Sequence, residues 1–214
     1  YVNFPASEYI CYIDQLKWEM DKEQLTFGNK DVLSKSRSQF ISTNKNQDSL
    51  SFYAKSADYS LRDYVINASG VDSIAIADAI IYPDSAKLIV SRNAEIQTLK
   101  NSKLLLDTLV RYHEFDNATV DIFGKNNYKA SGNYIYTDAL KNKQPIFFSE
   151  IVVNEDTISV ASGNVNQTQE FKIGSRYDYY GDIKLIGDRK DLKFTGYFKL
   201  SHNCSAFLKE WISF

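Results

Sequence analysis

Ala130-Ser131-Gly132-Asn133-Tyr134-Ile135-Tyr136 is the stretch on which the reading of the fold turns. Its first four residues return as Ala161-Ser162-Gly163-Asn164, and Ala68-Ser69-Gly70-Val71 shares the opening three. Gly70 and Gly132 lie 62 residues apart, twice the 31 that separate Gly132 from Gly163. A looser echo, Phe194-Thr195-Gly196-Tyr197, follows 33 residues later. The copies follow alternating runs such as Tyr64-Val65-Ile66-Asn67 and Ile158-Ser159-Val160. A glycine between strand-like runs marks a bend, a bulge or a turn. Its return every few dozen residues is the signature of stacked β-architecture. The expectation is an all-β chain of stacked layers, either solenoid-like or resembling a β-sandwich or jelly roll, with each phrase at a bend between layers.

Outward from the phrases the same period continues. Leu50, Phe52 and Ala54 share one face of a strand-like run, and Ser73 to Tyr82 reads as one β-branched strand that stops at the turn Pro83-Asp84-Ser85. Residues 9–28 read as a strand, a polar turn at Asp21-Lys22-Glu23 and a second strand. Residues 29–48 are polar and read as a connector, so the expected organisation is a leading hairpin and connector over 1–48 and a β-repeat domain over 49–214. Residues 85–115 are ambiguous, because Leu104-Leu105-Leu106 with Leu109 and Val110 also fits a helix. Strands are favoured there by the alternation in Asn93 to Leu99 and by the echo of Asn93-Ala94-Glu95-Ile96 in Asn117-Ala118-Thr119-Val120.

Composition agrees. The 15 Tyr and 13 Phe among 214 residues suit pleated, half-buried surfaces, and scarce glycine and proline argue against a disordered or linker-rich chain. A net charge of −2 gives no electrostatic reason to expect nucleic acid or an anionic membrane as partner. No run approaches the roughly 18 apolar residues of a spanning helix, so no membrane crossing is expected. The start at Tyr1 and the apolar end Trp211-Ile212-Ser213-Phe214 read as those of a segment of a longer protein.

Candidate chemistry is thin. His113 and Glu114 are adjacent, so on a strand they point to opposite faces and cannot act together. His202 and Cys204 share a face, but no third orienting group is identifiable. Cys11 and Cys204 read as two small buried residues, or as a disulfide if the chain is exported. Glu170, Asp178, Asp182, Asp188 and Asp191 interleave with six basic residues, which describes a solvated mixed-charge face and no metal site. Asn67, Asn117, Asn166 and Asn203 open glycosylation sequons that matter only in a eukaryotic secretory setting. The most suggestive material is tyrosine, in Tyr134-Ile135-Tyr136 and in Tyr177-Asp178-Tyr179-Tyr180. Exposed on a sheet beside polar groups, Tyr177, Tyr179 and Tyr180 would form a glycan-stacking platform. The competing reading places these rings in the core.

Two resemblances bear on function. The run Ala57 to Val71 (ADYSLRDYVINASGV) is similar to the repeat of OstA-like lipopolysaccharide-transport domains. Three phrases, Ser69 to Pro83, Ala130 to Asp138, and Tyr180 to Leu185 with Leu192 to Gly196, together resemble segments of very large uncharacterised exported proteins of Bacteroidota-type bacteria. The resemblance spans roughly residues 45–214 and implies an extracytoplasmic β-scaffold: periplasmic, outer-membrane-associated or at the cell surface. It carries over no catalytic residue and no cofactor. The expected function is therefore a non-enzymatic scaffold or binding segment of a cell-envelope protein. Its expected partners are other segments of the same chain or other envelope proteins. The alternatives are a carbohydrate-binding module built on the tyrosines and an OstA-like lipid-carrying groove. A polysaccharide-lyase-type enzyme would need clustered acids and bases that the sequence does not assemble.

Overall fold

The computed structural model describes residues 1–13, 15–28, 37–107, 112–201 and 210–214. Its regular elements are β-strands and short 3-10 turns, arranged in three antiparallel sheets, none of them closed into a barrel. No helix among the described residues is long and apolar enough to cross a membrane. The all-β expectation holds.

A first sheet joins β1 (Val2–Phe4), β2 (Tyr9–Tyr12), β5 (Ser38–Ser42) and β6 (Ser51–Ala54) in the order β1-β2-β5-β6. A second joins β3 (Leu16–Glu19), β4 (Gln24–Gly28), β7 (Ser56–Ser60), β8 (Val65–Ser69) and β11 (Lys87–Val90) in the order β11-β8-β7-β4-β3. The chain lays down its early strands two at a time, alternating between these sheets. Each incoming pair attaches its first strand to the last strand already present, β5 to β2 and β7 to β4. The sheets face one another, with the Phe4 ring 5.3 Å from Phe27 and 4.3 Å from Tyr59. The stretch expected as a connector contains β5. Pairing of β4 with β7 and β5 with β6 crosses position 48/49, and a single hydrophobic cluster runs from Phe4 to Leu185.

The third, eleven-stranded sheet begins with β9 (Ile74–Ile76) and β10 (Ala79–Tyr82). The single strand expected over 73–82 is thus a hairpin, because Ala77 takes a left-handed φ of 50° and reverses the chain. The reversal also shifts the phase, so Ile74, Ile76 and Ile81 are buried whereas Ile80, in step with the first two, is not. The sheet continues through β12 (Leu99–Leu106), β13 (His113–Gly124), β14 (Asn127–Thr137), β15 (Lys143–Val153), β16 (Ser159–Val165), β18 (Tyr177–Ile186), β19 (Lys193–Leu200) and β20 (Ile212–Ser213), with β17 (Lys172–Gly174) paired to the start of β18. Leu104-Leu105-Leu106 are strand residues and buried, which resolves the ambiguous stretch in favour of strands; residues 108–111 lie outside the described residues.

The 31-residue interval has a plain origin in this meander. Strands two apart in an antiparallel sheet run the same way and present the same face, so a motif that recurs after one strand, its turn, the next strand and its turn lands in the same row. Ala130 pairs with Ile151 and Ile151 with Ala161; Gly132 pairs with Phe148 and Phe148 with Gly163. These two phrases therefore mark one row of a single sheet and not successive layers. Gly132 and Gly163 lie inside strands, and the expected bend appears as bulges in their partners. One falls in β13 between Asp116 and Thr119, and another in β15 between Phe148 and Glu150. Gly70 follows the end of β8 in the second sheet, and Gly196 pairs with Gly181 out of phase with the Gly132–Phe148–Gly163 row.

Phe148 lies between two glycines for a steric reason. A Cβ at Gly163 would stand 3.2 Å from the Phe148 ring and 2.9 Å from the Phe147 carbonyl oxygen, and one at Gly132 3.3 Å from the Ala118 methyl. The bare backbone leaves room for Phe148 to meet Phe115 edge-on at 5.4 Å and Tyr134 at 5.9 Å. These rings fill the inner face of the sheet.

Candidate functional site

Alternation along β18 divides the expected tyrosine platform. Tyr177 and Tyr179 project to the inner face and Tyr180, with Asp178, to the outer one. Tyr179 is buried, ringed by Phe171, Phe194 and Phe214 at 5.3–6.1 Å, and its hydroxyl is directed at the carbonyl oxygens of Asp182 (2.7 Å) and Thr195 (3.2 Å). Burial pushes the phenol up to about 12. Tyr179 is a core residue, which corrects its assignment to a binding surface. Tyr177 remains exposed but leans edge-on against Phe198, 6.0 Å away. Tyr134 and Tyr136 also belong to inward packing, Tyr136 donating to the Ile173 carbonyl at 2.7 Å.

The structure assembles a different group on the outer face. Tyr180 stacks on its cross-strand partner Tyr197 (5.0 Å, 18° between planes) and meets Trp211 edge-to-face at 4.7 Å. The Lys199 ammonium stands 4.6 Å over the Trp211 ring. Beside it, Asp178 lies between Lys199 (3.6 Å) and Lys172 (3.9 Å). Here β17 and a 3-10 turn at Gln167–Gln169 border a cleft of about 350 Å³, lined among others by Gln167, Glu170, Phe171, Asp178, Lys199 and Trp211. Tyr197 and Trp211 gave no signal in the sequence beyond their aromatic character. Only the β18–β19 hairpin and the return of β20 bring them to Tyr180.

The remaining candidates are structural. His113 is buried, with Nε2 2.6 Å from the Arg189 carbonyl oxygen and Nδ1 3.3 Å from the Tyr134 hydroxyl. A carbonyl only accepts, so Nε2 carries the hydrogen and Nδ1 accepts from Tyr134. Glu114 points outward to an ion pair with Lys103. Burial pulls the His113 pKa below its ordinary 6.5. A depressed histidine costs nothing above the unfolded pKa and opposes folding as pH falls below it, until the folded-state group titrates as well. Wild-type stability is therefore expected to decline as pH drops below about 6.5. His113→Gln should show a flatter profile over that window in thermal unfolding at stepped pH, and an unchanged slope would refute the assignment.

Ser159 ties three turns together. Its backbone N–H and hydroxyl donate to Asp78 at 2.9 and 2.5 Å, and the buried Tyr128 hydroxyl lies 2.5 Å from its Oγ. Burial raises the Tyr128 phenol and the Cys11 thiol far above their ordinary values, so neither ionises readily. Cys11 is free and buried; His202 and Cys204 lie outside the described residues. Of the acidic residues, Asp182 accepts from the Asn164 amide at 2.7 Å, and among the described residues no three metal-ligating side chains gather. Comparison with family models, with curated proteins and with solved structures gives no match to this chain.

Proposed function

We propose that this chain is a β-scaffold segment with no reaction of its own, which joins other segments of a larger exported or cell-envelope protein by strand addition. One observation carries the reading: the sandwich is uncapped where its strand order begins. The pairs β5–β6 and β7–β8 attach to β2 and β4, yet the far sides of β1 and β3 are edges of their sheets among the described residues. Leu16 is paired with the buried Phe27 and Trp18 with the partly buried Leu25, so both project to the core face. They are nevertheless 50% and 57% exposed, and Met20, just past the strand, is 70% exposed. The charges on β3, Lys17 and Glu19, lie on the face opposite Leu16 and Trp18 and pair with each other at 2.7 Å, so they leave the apolar row itself bare. Repeat architectures leave such rows bare where the next unit stacks.

The polar side chains inside the molecule support the scaffold reading, since Ser159, His113 and Gln47 each fasten one turn or strand to another. The ring-filled inner face supports it over a lipid-carrying groove. The extracytoplasmic setting rests on the resemblance of the sequence phrases. An uncapped apolar edge should self-associate when the chain is isolated. Analytical ultracentrifugation is expected to show reversible association at micromolar concentration, with β3 amides gaining protection in hydrogen exchange. Trp18→Lys should sediment as a monomer with an unchanged unfolding midpoint. A wild-type chain that stays monomeric with fast-exchanging β3 amides would overturn the reading.

A further inference from the structure

We propose that the cleft between β17, β18 and β20 binds an uncharged saccharide, with Asp178, Lys199 and Trp211 as its contact residues. The proposal goes beyond the scaffold reading and does not depend on the β3 edge, which lies in another sheet.

Asp178 is held loosely between two lysines. Its two ammonium neighbours stand 3.6 and 3.9 Å away, beyond the 2.7–3.2 Å of a direct N–H···O bond. Ions this loosely paired keep hydrogen-bonding capacity for a ligand in the cleft that all three residues line, and one hydroxyl can bridge carboxylate and ammonium there. A sugar hydroxyl suits it because one O–H donates to the carboxylate while its oxygen accepts from an ammonium. Asp178 and Lys199 side chains are only 23% and 27% exposed. Their hydrogen bonds to a ligand would therefore form in a partly desolvated, charge-assisted setting.

Trp211 gives the same cleft an aromatic wall held in place by Tyr180 and Lys199. An aromatic surface beside convergent charged hydrogen-bonding groups matches a sugar, which has apolar C–H faces and a polar rim. Charge decides between a neutral and an acidic ligand. Lys172 and Lys199 are balanced by Asp178 and Glu170 on the lining, so a phosphate or uronate gains no net attraction and meets two carboxylates. The volume of about 350 Å³ sits at the low end for small-ligand sites, about 300–1,000 Å³, and suits one or two sugar rings.

The test is titration calorimetry of the chain with maltohexaose, mannohexaose and xylohexaose, with oligogalacturonate as the acidic counterpart. At least one neutral oligosaccharide is expected to bind with a sub-millimolar constant. Asp178→Asn, which keeps the shape and removes the charge, should weaken it about tenfold, as expected for losing a hydrogen bond to a charged group. Trp211→Ala should weaken binding at least as much. Tyr177→Ala, on the opposite face of the strand, should leave it unchanged, and the unfolding midpoint of each variant checks that the fold is intact. Three results overturn the proposal: no binding by any of the neutral sugars, tighter binding of oligogalacturonate, or affinity indifferent to Asp178→Asn. None of these bears on association through β3, so the two readings fail separately.

Discussion

Phe148→Ala is expected to remove about 3–5 kcal/mol of folding stability, the range for deleting a fully buried phenylalanine. The upper part of that range applies because of the neighbours in its row. Phe148 is flanked across the sheet by Gly132 and Gly163, so no adjacent side chain in the row can lean in to fill the space. The cavity would be lined by Phe115 and Tyr134, which lose their edge-to-face partner as well. Against a typical total of about 5–15 kcal/mol, the variant would be marginal at 25 °C. Denaturant unfolding followed by near-ultraviolet dichroism measures this directly. A loss under about 1.5 kcal/mol, the level of a volume-conserving swap, would mean that the ring cluster does not organise the core.

Gly196→Val should be comparably damaging for a different reason. Gly181 and Gly196 are directly paired, with φ of 146° and 157°, and a Cβ at Gly196 would stand 2.5 Å from the Tyr180 carbonyl oxygen and 2.7 Å from the Gly181 Cα. Both obstacles are backbone, so neither can swing aside. Strain at such a φ costs about 1–3 kcal/mol and overpacking about 1–3 more, giving roughly 2–6 kcal/mol in total. The hairpin of β18 and β19 would be forced apart, and with it the pairing of Tyr180 and Tyr197. Gly174→Ala is the matched control, since a Cβ there meets nothing within 4 Å. Its stability should stay within about 0.5 kcal/mol of wild type. Equal losses for the two variants would show that the close approach of β18 and β19 is not what position 196 requires.

Strand character was legible because it is written locally. Alternation at Leu50, Phe52 and Ala54 needs only neighbouring residues to be read. The repeat of the Ala-Ser-Gly phrase was equally visible, but its interval fits stacked layers and rows of one meander alike. Only the pairing of Gly132 with Phe148 and of Phe148 with Gly163 separates the two. The hairpin at Ala77 was hidden because alanine has no preference for a left-handed φ. The surrounding contacts impose it, among them the hydrogen bond from its N–H to the Lys125 carbonyl. The apparent connector was misleading for a related reason. Phe40, Ser38 and Ser42 alternate inward over only five residues, too short a signal amid polar neighbours.

The candidate site shows the same division at its sharpest. Composition identified aromatic residues as the functional material and grouped Tyr177, Tyr179 and Tyr180 on one platform, although alternation along β18 sets Tyr179 and Tyr180 on opposite faces. Which face is sealed depends on what arrives from elsewhere. Phe171, Phe194 and Phe214 cover Tyr179, while Tyr197 and Trp211 come to the side of Tyr180. By itself, the amino-acid sequence determined that this protein is a β-sheet chain with a recurring glycine row and an aromatic-rich end. Tertiary structure alone decided which rings became core and which became surface, and which strands lie at the sheet edges among the described residues. The physical reason is that strand periodicity is a property of adjacent residues, whereas burial and edge exposure are properties of partners far away along the chain.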